Sequence, residues 1–168
     1  MKMTEIFLQD LTSEVERSRR ALEQVPDGNY DWKPHEKSMQ FGYLVELVAI
    51  MPSWVATMIT QDELDVAPAN QGQKPEPMRT RAELLAGLDK TAAAARTALE
   101  GTTDEFLKTP WKLLARGQVV IEAPRHEMIR DTFKHLAHHR GQMTVYLRLL
   151  GASVPAIYGP SADDNRFT

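Results

Sequence analysis

The chain contains no cysteine among its 168 residues. That excludes disulfides, thiolate zinc ribbons and a cysteine nucleophile. It also lacks a basic excess: 20 Lys and Arg stand against 23 Asp and Glu, mixed along the sequence. Without a basic face or arm, neither nucleic acid nor an anionic membrane is expected as a partner. A long uncharged apolar run is missing too. The longest apolar stretch, residues 41–59, carries Glu46 and Pro52 and reads as a buried core helix rather than a membrane span. The first residues turn acidic where a signal peptide would be apolar, so a cytoplasmic location is expected. What remains is ordinary globular composition, 42% hydrophobic and 26% charged, in a length that suits one domain over 1–168.

Four segments carry helical periodicity. The first opens at Thr4 as N-cap, repeats Phe7, Leu11, Val15 and Leu22 on one face, and stops before Pro26-Asp27-Gly28. The second runs from about Ser38 to Ile59 and is apolar nearly all round, with a kink expected at Pro52 because proline removes a helical donor. Residues 62–79 read as a polar linker. Thr80 and Glu83 form a capping box for the third helix, whose core face is Leu84, Leu88, Ala95 and Leu99. Between Thr109 and Ala123 the pattern shifts to a short hairpin-like excursion. The fourth helix begins near Pro124, taken as a first-turn proline, and ends at Gly151 as its C′ residue. An apolar tail, Val154 to Tyr158, is expected to lie against the helices. The pattern predicts an all-α four-helix bundle with a long crossover connection, not a plain up-down meander.

The chemistry-bearing residues cluster in the fourth helix. At ~100° per residue, His135 and His139 stand one turn apart on one face, followed by Gln142 and Tyr146 and preceded by Asp131. His138 points to another side. Imidazoles four apart meet within ~5–6 Å and can share one divalent ion such as Zn²⁺ or Ni²⁺, or can simply be hydrogen-bonded bundle residues. Leu136 stands where a metalloprotease HExxH pattern needs its glutamate. Glu46 is the only acid in its apolar stretch, and burying it requires a ligand, an ion partner such as Arg140, or a solvent-facing groove. Asp131 is read as a ligand, as the acceptor that orients His135, or as a solvated surface group. Arg140 is read as pairing with a bundle acid. Gly141, costly within a helix, suggests close approach of another backbone. Trp32, Trp54 and Trp111 are read as core plugs at element ends rather than cleft walls. His35 and His126 are expected at solvent.

The stretch His135-Leu-Ala-His-His-Arg-Gly-Gln-Met-Thr-Val-Tyr-Leu-Arg148, followed by Gly151, Val154-Pro155 and Tyr158-Gly-Pro-Ser-Ala-Asp-Asp164, resembles the C-terminal signature of the DinB-like (damage-inducible, YfiT-type) family. Lys33-Pro-His-Glu-Lys-Ser-Met39 and the helix after it extend the likeness over most of the chain. The resemblance implies a helical bundle with a metal in a central cleft, frequently a homodimer, related to transferases that use low-molecular-weight thiols. It maps the family's HxxxH ligand pair onto His135 and His139. The family's remaining histidine falls at Leu47, which cannot ligate; Glu46 or Asp131 would have to substitute. Gln142, Tyr146 and Arg140 then fall in the second shell or the cleft. Three readings follow: a divalent-metal-dependent thiol transferase or hydrolase with an altered site, a metal-free binder of a small ligand, and a dimeric structural or interaction protein.

Overall fold

The computed structural model describes residues 1–69 and 76–166. The helices are α1 (Met3–Leu22), α2 (Phe41–Ile50), α3 (Pro52–Thr60), α4 (Arg81–Glu100), α5 (Asp104–Leu107) and α6 (Arg125–Leu149). The strands are β1 (Glu63–Asp65), β2 (Pro110–Ala115) and β3 (Gln118–Pro124). Four rods make the bundle: α1, the α2–α3 pair, α4 and α6. α1 packs against α4 and α6, and the α2–α3 pair packs against the same two rods, so α1 and α2–α3 share one diagonal and α4 and α6 the other.

The core has two halves that fix the rod directions. One joins Leu22 of α1, Leu44 of α2, Leu88 of α4 and Met143 of α6. The other joins Phe7 of α1, Val55 of α3, Leu99 of α4 and Phe133 of α6. α1 and α6 therefore run in one sense, and α2–α3 and α4 in the other. Two neighbouring rods in the same sense require a long crossover, which residues 61–80 supply. Pro52 divides the apolar rod between the two halves. α2 and α3 meet there at 49°, because Pro52 opens α3 without an N–H to give back to α2. No single helix among the described residues is long and apolar enough to cross a membrane.

Several expectations are corrected at the ends of elements. The second rod starts at Phe41, not Ser38, since Gly42 approaches Tyr30 so closely that a Cβ would meet its carbonyl oxygen at 2.8 Å. α1 starts before Thr4: the Asp104 carboxylate, on α5, accepts from the N–H groups of Met3 and Thr4 at 2.9 and 3.0 Å and supplies the cap from a distant element. Pro124 is the residue before α6 rather than its first. Thr80 does cap α4, accepting from the Glu83 N–H, while Glu83 accepts from Arg79. Gly151, at φ +75°, ends α6 as predicted.

The presumed linker is also corrected: its first residues form β1, paired in parallel with β2, while residues 70–75 lie outside the described set. β2 and β3 form an antiparallel hairpin. Its turn residues, Arg116 and Gly117, both have positive φ, as a tight two-residue turn needs. Asp65 stabilises that turn by accepting from the N–H groups of Arg116 and Gly117 at 3.1 and 2.7 Å. The three strands lie in the order β1-β2-β3.

Candidate functional site

α6 presents the histidines along one face. The Nε2 atoms of His135 and His139 are 2.8 Å apart, and their ring centroids 4.5 Å. His139 is buried and His135 exposed at the surface end of the pair. His139 Nδ1 lies 2.9 Å from Gln142 Oε1. An amide oxygen only accepts, so His139 carries its proton on Nδ1 and, when neutral, turns a lone pair on Nε2 toward His135. His135 then donates from Nε2 and keeps Nδ1 as a free base. Burial, with the neighbouring His139 and His138 adding to it, holds His135 below the ordinary histidine value, which favours this neutral state. His138 flanks the pair more closely than helical phase alone suggests, with its ring centroid 5.2 Å from that of His139 and 6.5 Å from that of His135.

His135, the exposed member of the pair, lines a cleft of about 450 Å³ between α3, the small sheet and α6. Trp54 and Met58 form the α3 wall, Trp111 and Leu113 the β2 wall, and Glu127, Asp131 and His135 rise in successive turns of α6. Trp54 and His135 have ring centroids 5.6 Å apart. Trp111 is buried, and its indole N–H has no hydrogen-bond partner among the described residues. Trp111 is a core plug as expected, 1% exposed in the second half of the core, and it also borders the cleft; the expectation is corrected for Trp54, which is only partly buried and lines the cleft. Trp32 packs edge-on against Tyr146, with ring centroids 5.7 Å apart, and the Tyr146 hydroxyl donates to the Met39 carbonyl.

The donor set falls short of a three-ligand metal site. Two imidazole nitrogens at ~2.0–2.1 Å from a tetrahedral ion stand ~3.3 Å apart, so a modest rotation from 2.8 Å would admit one. The Gln142 acceptor behind His139 is the kind of outer partner that ligating histidines use. Leu47, however, is apolar and 7% exposed within the core. Glu46 faces a separate groove beside Tyr43, Met78 and Arg79. Burial raises its carboxyl, against the Arg79 charge and a Met78 N–H. Asp131 accepts from Lys134 at 2.9 Å rather than orienting His135. Among the described residues no three His, Asp or Glu side chains are placed to hold one ion.

Arg140 belongs to the frame of the site. It is 1% exposed, donates to Glu14 Oε2 at 2.5 Å and to Ser18 Oγ at 3.0 Å, and reaches the Tyr158 hydroxyl at 2.6 Å. Its acid partner is Glu14, so the pairing with Glu46 does not form. Sequence reasoning missed Arg125, which is equally buried and donates to the Met58 and Gln61 carbonyls and to Asp62. A lone arginine at the start of a helix carries no sequence signal for that role. His35 is exposed as expected, whereas half-buried His126 meets the Leu107 carbonyl at 3.0 Å.

Similar architecture occurs in solved structures. A DinB-like protein from Bacillus cereus ATCC 10987 superposes with a TM-score of 0.72 at 24% identity, covering 92% of this chain and 97% of that one. The DinB-like protein YjoA from Bacillus subtilis gives 0.66 at 19% identity, covering 88% and 94%. At these identities the likeness is one of fold. In sequence, the uncharacterised protein YrdA from Bacillus subtilis (strain 168) is 42% identical over 43 residues, a match spanning only 26% of either protein. The sequence model of the DinB family matches residues 1–166, and this chain therefore belongs to the DinB family.

Proposed function

We propose that this protein binds a small organic molecule without a resident metal, in the cleft between α3, the sheet and α6. The observation that carries this reading is the cleft itself: apolar walls around about 450 Å³, with His135, which contacts His139, in the lining. Ligand sites have this composition, largely apolar with a few convergent polar groups. The partnerless indole N–H of Trp111 adds to it, because buried unsatisfied donors cost about 1–3 kcal/mol and are few in native folds. The unprotonated Nδ1 of His135 would serve as hydrogen-bond acceptor or proton acceptor for what enters.

A thermal-shift screen of small apolar and aromatic compounds tests the reading, with a Thr57→Trp variant that fills the cleft as control. Stabilising compounds that lose their effect in the filled variant are the expected result. Hits that stabilise both proteins equally would place binding elsewhere and overturn it.

The facing Nε2 atoms and the Gln142 acceptor favour a second reading, a divalent-metal-dependent thiol transferase or hydrolase. That reading needs a third donor in place of Leu47, and metal content decides it, as argued below.

A further inference from the structure

Among the described residues, the carboxylates that line the cleft are its only formally charged groups. Glu127 and Asp131 precede His135 by two turns and one turn on the same face of α6, and all three line the cavity. Among the described residues no lysine or arginine lines it. Glu127 has no ion-pair partner among the described residues, and Asp131 has only Lys134, an exposed pair three residues apart. Such exposed pairs are weak and readily exchanged for a better-placed cation. The indoles of Trp54 and Trp111 line the same cavity from α3 and β2, and indole rings attract cations. Apolar walls, two carboxylates from α6 and indoles from α3 and β2 form a consistent environment for a hydrocarbon body bearing a positive charge.

We propose that the cleft is selective for apolar organic cations, alkyl- or arylalkyl-ammonium compounds, with the ammonium group at Glu127 and Asp131 and the hydrocarbon between Trp54 and Leu113. This deepens the preceding proposal and rests on it. It has a direct consequence for low-molecular-weight thiols that carry carboxylates. Such molecules would place like charges against Glu127 and Asp131, so an anionic thiol enters this cleft poorly.

Three probes of matched shape test the idea: phenylbutylamine, phenylbutanol and phenylbutyrate. Each is titrated into the untagged full chain, followed by tryptophan fluorescence and by melting temperature. The amine is expected to bind about tenfold more tightly than the alcohol, the equivalent of one modest cation–π or charge contact, and the carboxylate least tightly. In Glu127→Gln/Asp131→Asn the amine should fall to the level of the alcohol while the alcohol is unchanged. Both positions are exposed, so the variant should melt like the parent, which circular dichroism checks. Alcohol or carboxylate binding as tightly as the amine would overturn the cation proposal and leave the cleft reading standing. An amine preference that survives in the double variant would overturn it as well. Failure of all three to bind would overturn the cleft reading and the cation proposal together.

Discussion

The side chains of Arg140 and Glu14 form a buried ion pair at 2.5 Å that joins α6 to α1. The Tyr158 hydroxyl sits 3.1 and 3.0 Å from the two Glu14 carboxylate oxygens and 2.6 Å from Arg140, so the C-terminal tail closes over the pair. Arg17 adds a second cation, 2.6 Å from Glu14 and stacked on the Tyr158 ring. Removing Arg140 leaves buried Glu14 with only the more exposed Arg17 and the Tyr158 hydroxyl. Arg140→Ala is expected to destabilise by up to about 3–5 kcal/mol, the cost of breaking a buried pair outright, and Tyr158→Phe by about 1 kcal/mol. Urea unfolding measures both. If Arg140→Ala costs no more than an exposed pair, the pair is not a stabilising link between α1 and α6.

The His135–His139 geometry makes a separate prediction about metal. Untagged parent protein should retain no stoichiometric Zn²⁺ or Ni²⁺ after dialysis, because Leu47 offers no donor and Glu46 lies in another groove. Leu47→His should restore a third nitrogen donor and bind metal tightly, with release of protons. Elemental analysis reads both. About one metal per parent chain would favour the metal-dependent reading, with water completing the coordination.

A good deal of the fold was legible in the sequence, for local reasons. Amphipathic periodicity placed the rods, Pro52 its bend and Gly151 its stop, because each acts through the backbone of its immediate neighbours. The His135–His139 spacing was legible likewise, since one helical turn sets it. What stayed hidden depends on partners distant in sequence. Residues Glu63–Asp65 are a strand only because β2 lies beside them. The cap on α1 comes from Asp104. The cleft exists only once the bend at Pro52, the β1–β2 pairing and α6 are assembled, so Trp54 looked like a plug and Glu127 carried no signal at all.

The hairpin turn is predicted to be acid-sensitive. N–H groups of Ala67, Gly117 and Arg116 converge on Asp65 and hold its carboxyl below the ordinary value of 3.8. A depressed folded value means that the stabilisation is fully present above 3.8 and disappears as pH falls through the folded value. Asp65→Ala should therefore melt below the parent at neutral pH, with the gap narrowing as the pH drops below 3.8. A gap that is constant across this range would mean that the aspartate acts through packing and not through its charge.

Gly141 supplies the last prediction. The expectation of a close backbone contact is not met within the chain: a Cβ built there meets nothing within 4 Å, and the position is exposed on α6. For an isolated helical position, Gly141→Ala should stabilise by about 0.5–1 kcal/mol, because alanine restricts the unfolded chain more. In a chain of this size that is a rise of roughly 1–4 °C in melting temperature. Val145 and Leu149 lie one and two turns further along and are also exposed, which makes the same strip the natural place to seek pairing between copies. A fall in melting temperature for Gly141→Ala, together with a drop in mass by light scattering, would mean that a second copy packs against this glycine. A rise at unchanged mass would leave α6 free on that side, and the glycine without a packing role in the folded chain.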